Sequence, residues 1–236
     1  MSACDDRPRD GHRGWRHASR RTPRAPRNFR RVIRLYRADF STNAERVALA
    51  LAHKGIEVES VVIDYADRSE VERVSGQGLV PVLDDGGTIV VDSMEIVRHL
   101  EARFPEPPLY PRDEGRRAEM LVFIDWFNRV WKVPPNAIEA ELTSDRPDHD
   151  RIAALAAEMA EALDRFEAML AGREHLMGDE FSAADVAAFP FVKYALRRDP
   201  ADDELFHRVL DEHQQLGDDH PRLAGWIRRV GARPRA

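Results

Sequence analysis

The 236-residue chain has one cysteine, Cys4, and so offers neither a disulfide framework nor a cysteine pair for zinc or dithiol chemistry. No run approaches the about 18 consecutive apolar residues of a membrane-spanning helix, and the first residues hold no apolar core for a secretory signal. The expectation is a protein of the cytoplasm with no membrane partner. Metal-ligand spacing is missing too: His53, His99, His175 and His207 stand apart and read as core or surface residues, so no metal is expected. Lysine is scarce, with only Lys54, Lys132 and Lys193, and the arginine and alanine bias that replaces it fits a GC-rich bacterial genome. The net charge is -6, yet residues 5 to 31 carry ten arginines against three aspartates, so the remainder is more acidic still and a poor binder of nucleic acid.

What is present begins with enough apolar sequence, 43% of residues, to bury one or two cores without staples. Residues 1–31 lack periodicity and almost lack apolar residues, which predicts a disordered Arg-rich leader. From Val32 the text changes. Val32 to Tyr36 reads as a strand, and Ser41-Thr42-Asn43 supplies side-chain caps for a helix with apolar positions Ala44, Val47, Ala48, Leu51 and Ala52. Gly55 is its left-handed stop. A second strand is expected over Val58 to Asp64 and a short polar helix over Arg68 to Ser75.

The stretch Gly76 to Ser93 concentrates the chemistry. Pro81 has no amide hydrogen for a sheet ladder, so it belongs at the entrance of the strand Val80-Pro81-Val82-Leu83. A cis Val80-Pro81 bond would leave the Val80 amide and carbonyl open to an extended peptide. An Asp84-Asp85-Gly86-Gly87 turn returns the chain through Thr88 to Val91. Asp92-Ser93 then caps the next helix, so a carboxylate, a hydroxyl and free amides converge where a small zwitterion would fit. A helical stripe of Ile96, Val97 and Leu100 ends before Pro105. The expected first domain is thus an α/β unit over 32–104 with a mixed four-stranded sheet.

The proline-rich segment 105–113 reads as a linker, and 114–236 as all helical. One helix is expected to carry Met120, Phe123, Phe127, Val130 and Trp131 along a side, and a second Ile152 through Leu170, closed by Gly172. Trp126, Phe127 and Trp131 suit core or dimer packing, or the wall of a substrate site. Phe181 to Val186 holds a capping box, Ser182 with Asp185, inside a hydrophobic staple, and both residues are read as structural. The helix they start, through Leu196, should be central and kinked at Pro190, and His220 to Arg229 gives a last helix anchored by Leu223, Trp226 and Ile227.

The motifs Ser41-Thr-Asn-Ala-Glu-Arg46-Val47, Gly78-Leu-Val80-Pro81-Val-Leu83, Asp92-Ser93, Phe181-Ser182-Ala-Ala-Asp185 and Pro221-Arg-Leu223-Ala-Gly-Trp226 occur in the order and spacing of one family. Over about Val32 to Pro234 the chain resembles the cytosolic glutathione transferases that use serine. The resemblance implies a thioredoxin-like N-terminal domain with a mixed four-stranded sheet, an all-α helical-bundle domain, a homodimer, and glutathione as co-substrate in detoxification. It implies that Ser41 hydrogen-bonds the glutathione sulfur as the catalytic residue, with Asn43 as a second donor. It implies also that Leu79, Val80 and Pro81 belong to the glutathione-binding site, with Val80 pairing through its backbone with the cysteinyl part, and that Asp92 and Ser93 hold the γ-glutamyl amino and carboxylate groups.

Leu79 departs from the family, which often has a polar residue there, and leaves the glycyl carboxylate without an evident partner. Thr42 replaces a frequent proline, and the absence of cysteine in that loop argues against disulfide chemistry. The activity implied is conjugation of the thiol to a small hydrophobic electrophile. The same residues suit a binding protein that keeps the fold without turnover, a glutathione-dependent isomerase or dehalogenase, or a relative using another low-molecular-weight thiol.

Overall fold

The computed structural model describes residues 32–236, and the expected leader with Cys4 lies outside them. β1 (Ile33–Arg37) pairs in parallel with β2 (Glu59–Val62) and antiparallel with β3 (Val82–Asp85), which pairs antiparallel with β4 (Thr88–Val91). The sheet order is β2-β1-β3-β4. A parallel pair needs a crossover, here α1 (Thr42–His53). Leu35 and Leu83 face each other across the ladder on one face, while Tyr36 and Val82 do so on the other, as the two-residue period of a strand requires. The Leu35 face packs on α1 and α3 (Ser93–Arg103) and its core runs on into the helical half; the Tyr36 face closes over Val71 of α2 (Ser69–Ser75).

Two strand boundaries differ from expectation. β2 is shorter than 58–64, and β3 starts at Val82 because Pro81 cannot donate to the ladder. Asp84 and Asp85 are therefore strand residues opposite Arg34 and Ile33, and the hairpin turn is Gly86-Gly87 alone, at φ 60° and 99°. Two successive left-handed residues are what a two-residue hairpin loop demands, and glycine adopts them freely.

Lys54, at the end of α1, fastens this half to the segment that leaves α3. Its buried ammonium donates to the carbonyls of Phe104 (2.6 Å) and Pro107 (3.0 Å) and pairs with Glu101 at 2.7 Å. Glu101 in turn accepts from the amides of Leu109 and Tyr110. Lys54 and Glu101 thus fasten residues 105–113, which carry no helix or strand, at several points. Lys54→Met should cost about 3 kcal/mol, because it strands a largely buried carboxylate and two carbonyls. A denaturant midpoint unchanged from wild type would show that the clamp contributes little.

The helical half comprises α4 (Glu114–Trp126), α5 (Val133–Leu142), α6 (His149–Met169), α7 (Ala183–Val192), α8 (Leu205–His213) and α9 (Pro221–Gly231). A π-helical turn, Phe127–Trp131, joins α4 to α5. It is closed by the Lys132 amide donating to the Phe127 carbonyl five residues back, at 3.1 Å. The expected single stripe is broken there: Phe127 and Trp131 stack at 4.5 Å in the core, whereas Val130 is turned outward and 54% exposed. Pro134 and Pro135 then occupy the first turn of α5, where their missing amides cost nothing.

α7 is buried along its whole length and packs on α1. The capping box of Ser182 and Asp185 is formed, and Pro190 lies inside the helix just before a 3₁₀ turn at Lys193–Ala195. Leu196, beyond that turn, is 40% exposed and does not extend the core as expected. α9 buries Leu223, Trp226, Ile227 and Val230. Among the described residues no helix is long and apolar enough to cross a membrane, and no cluster of three or more His, Cys, Asp or Glu could hold a metal ion.

Candidate active-site cleft

A cleft of about 880 Å³ lies between the loop 77–81, the start of α3 and the face of α4 with the π turn. Asn43, Leu79, Val80, Pro81, Asp92 and Ser93 all line it. Its floor on the sheet side is the Val80-Pro81 peptide, which is cis. The loop before it is braced by side chains: Arg68 donates to the Gly78 carbonyl at 2.7 Å, and the Gln77 amide bonds both the N–H and the C=O of Leu79. Val80 follows this brace and precedes the ladder, so its main-chain groups belong to neither. The Leu79 side chain points to solvent, 70% exposed.

Asp92 caps α3 with one carboxylate oxygen, Oδ1, which accepts from the amides of Met94 (2.9 Å) and Glu95 (3.1 Å). Among the described residues no such bond occupies Oδ2. Asp92 sits at φ 70° and Phe40, the residue before Ser41, at φ 58°. These are the two non-glycine residues with positive φ among the described residues, and they introduce α3 and α1. Such backbone persists where the surroundings over-determine it, most often at functional sites.

Ser93 is buried and its hydroxyl reaches Asn43 Oδ1 at 3.5 Å, tying the start of α3 to the start of α1. Ser41 caps α1, accepting from the Ala44 amide at 3.2 Å, but it does not line this cleft. It borders a separate hollow of about 270 Å³ with Phe40, Ala44 and Arg235. Close by, burial pushes the Tyr65 phenol up, Glu204 adds to that, and the Ser41 hydroxyl opposes it.

Arg46, Asn128 and Lys132 also line the cleft, and none was expected there. Arg46 is only 2% exposed and donates to the Ala187 carbonyl (2.9 Å), Asn128 Oδ1 (2.9 Å), Ser93 Oγ (3.3 Å) and Asn43 Oδ1 (3.4 Å). Because a guanidinium only donates, it fixes Oδ1 as the bonded end of Asn43 and leaves the amide nitrogen uncommitted among the described residues. Burial pulls Arg46 down to about 9, against the attraction of Asp92, and it stays charged at neutral pH. Burial likewise pulls Lys132 down to about 8, with Arg46 pushing the same way and Asp92 opposing.

The arrangement is a cleft with a backbone edge, a half-committed carboxylate and two helix N-termini, to which the buried Arg46 of α1 and the half-buried Lys132, just after the π turn, add positive charge. Residues 35–108 match the family description "Glutathione S-transferase, N-terminal domain" and residues 149–229 match "Glutathione S-transferase, C-terminal domain". The chain belongs to the glutathione S-transferase family. It is 38% identical over 91 residues to glutathione S-transferase Z1 of Arabidopsis thaliana, a stretch covering 36% of this chain and only 41% of that protein. Against glutathione S-transferase L3 of the same plant it is 25% identical over 214 residues, 87% of this chain and 80% of the relative. A crystal structure of a glutathione S-transferase from Rhodospirillum rubrum F11 superposes with a TM-score of 0.67 at 26% identity, covering 86% of this chain and 89% of the other. The sheet and helices described above are therefore those of a glutathione transferase: a thioredoxin-like domain followed by a helical one. Glutathione is the family's co-substrate.

Proposed function

We propose that this transferase binds glutathione along the sheet-side wall of the cleft and conjugates its thiol to a small electrophile. The observation that carries the reading is the convergence of Asn43, Val80, Asp92 and Ser93 on one cleft. In this reading the free amide and carbonyl of Val80 pair with the cysteinyl backbone as one more strand edge would. Asp92 Oδ2 receives the γ-glutamyl ammonium, and the amides at the start of α3 with the Ser93 hydroxyl receive its carboxylate. The sulfur then falls at the leading end of α1, where Asn43 and Ser41 are the candidate donors. A glutathione-like thiol has a pKa of about 8.5, so a donor there favours the thiolate, at about 1.4 kcal/mol per unit of lowering.

Asp92→Asn tests the placement. Asparagine keeps an oxygen for the cap and tolerates positive φ, so stability should hold within about 0.5 kcal/mol while glutathione affinity falls about tenfold, as for a lost hydrogen bond to a charged group. Calorimetry giving equal affinity for both proteins would remove the carboxylate from the binding site.

Turnover of 1-chloro-2,4-dinitrobenzene with glutathione tests the reaction itself, and glutathione binding without turnover would favour the non-catalytic reading. A thermal-shift comparison with another low-molecular-weight thiol decides the thiol. The family's dimeric habit makes a homodimer the expected working unit, which light scattering checks.

A further inference from the structure

The cleft as a whole holds more positive charge than its own residues neutralise. Arg98 is paired with Glu95, and Arg129 with Asp125 at 2.6 Å. Among the described residues Arg46 and Lys132 have no such partner. All four acceptors of Arg46 are neutral oxygens, and the Lys132 ammonium has no hydrogen-bond acceptor among the described residues. Both cations stand over the same ring, each 4.6 Å from the centre of Phe191. An aromatic face attracts a cation but neutralises nothing, and two like charges on one ring repel. The one carboxylate that acts on both is Asp92, from beyond ion-pair distance, with one oxygen already committed to the α3 cap.

Buried cations are ordinarily paired, because removing an ion from water is costly. Here the fold holds two together at a cleft, beside the apolar Leu121 and Ile124 and the mutually paired Asp125 and Arg129. The missing partner is an anion that arrives from solution and carries an apolar body. A neutral electrophile would leave both charges uncompensated in a site from which it had expelled water.

We propose that the second substrate of this cleft is an acidic electrophile, an apolar carboxylate whose anionic group lies between Lys132 and Arg46 while its reactive carbon faces the glutathione sulfur. The proposal rests on the transferase reading above and adds the chemical class of the acceptor. It gives the cleft two tasks: beside the groups that recognise the thiol, Lys132 and Arg46 recognise the charge on its target.

The test uses one aromatic scaffold in two forms, 4-chloro-3-nitrobenzoate and its methyl ester. With either, the thiolate sulfur attacks the carbon bearing chlorine, the C–S bond forms, chloride leaves with the C–Cl electron pair, and the thiol proton goes to solvent. Each kcat/KM is divided by the uncatalysed rate constant for the same compound, so the intrinsic reactivity of acid and ester cancels.

The full-length wild type should prefer the acid by about tenfold or more, the effect of a charge-assisted pair in a partly buried site, and Lys132→Gln should bring the acid-to-ester ratio to near one. A wild-type ratio near one overturns the proposal. So does a ratio that Lys132→Gln leaves unchanged: if both rates fall together, Lys132 serves the thiolate, and if glutathione affinity falls instead, it holds a glutathione carboxylate. Should neither compound turn over, the transferase reading fails and the anion site is judged by calorimetry with the same pair. Tighter binding of the acid that disappears in Lys132→Gln then upholds the site, and equal binding of acid and ester sinks it.

Discussion

Asp185→Ala should lower the unfolding free energy by about 4 kcal/mol or more and the melting temperature by about 10 °C. Asp185 is fully buried, and its carboxylate is the acceptor for four donors. Oδ1 takes the Leu176 amide (3.0 Å) and the Trp226 indole N–H (2.8 Å), while Oδ2 takes the Ser182 amide (2.9 Å) and hydroxyl (3.0 Å). One side chain thus joins the loop before α7, the start of α7 and the anchor of α9.

Alanine would leave these donors in a dry core, where each unsatisfied group costs about 1–3 kcal/mol. Asp185→Asn keeps Oδ1 for Leu176 and Trp226 but turns an N–H₂ toward the Ser182 amide, so about half the loss is expected. Equal stability of the alanine variant and wild type in urea would mean that ordinary capping, and not the hub, describes this residue.

The second large effect is on rate. Asn43→Ala should cut kcat/KM for 1-chloro-2,4-dinitrobenzene about 100-fold, the scale seen when one preorganised donor to a developing anion is removed. Its pH profile should also shift up by about one unit, since the thiol loses the donor that favours its ionised form.

The choice of Asn43 over Ser41 rests on placement: the asparagine lines the cleft with its nitrogen uncommitted among the described residues, while Ser41 borders the neighbouring hollow and caps the helix. Asn43→Asp is the stricter variant, because it preserves an acceptor for Arg46 while removing the donor and adding a negative charge beside the sulfur. Ser41→Ala should cost about 1 kcal/mol of stability through the lost cap and a smaller share of the rate. Activity abolished in Ser41→Ala and kept in Asn43→Ala would transfer the role to the serine.

Much of this architecture is legible in the sequence because local chemistry and tertiary packing agree. Ser41, Gly55, Asp92 and the pair Ser182 and Asp185 mark helix ends by capping, a short-range effect, and the structure places caps or stops at each. The Gly86-Gly87 turn and the strands around it arise from backbone freedom and alternation in the same way.

Arg46 is different. A charged residue on an amphipathic helix reads as its wet face, yet α1 is covered by the sheet, α3 and α7, and the acceptor that makes burial possible is the carbonyl of Ala187, 141 positions away. The alanines at 48, 50 and 52 were the available signal that neighbours approach closely. Lys132 was hidden by the π turn, since a regular period through Val130 and Trp131 aims both inward. α8 carries its core contacts on His207, Val209 and Leu210, and His207 is held by buried Asp202 at 2.9 Å, a polar anchor that periodicity in apolar residues does not register.

The π turn also bears on how this protein is compared with its relatives. Its five-residue bond accommodates one residue more than an α-helical turn, and removing a residue from 127–131 would let the segment close as ordinary helix. Everything on one side of the deletion would then swing by about 100° against the other. A relative lacking that residue would share the fold and the thiol-binding wall while presenting a different side chain where Lys132 now stands, so a one-residue gap in an alignment can mark a change of acceptor chemistry.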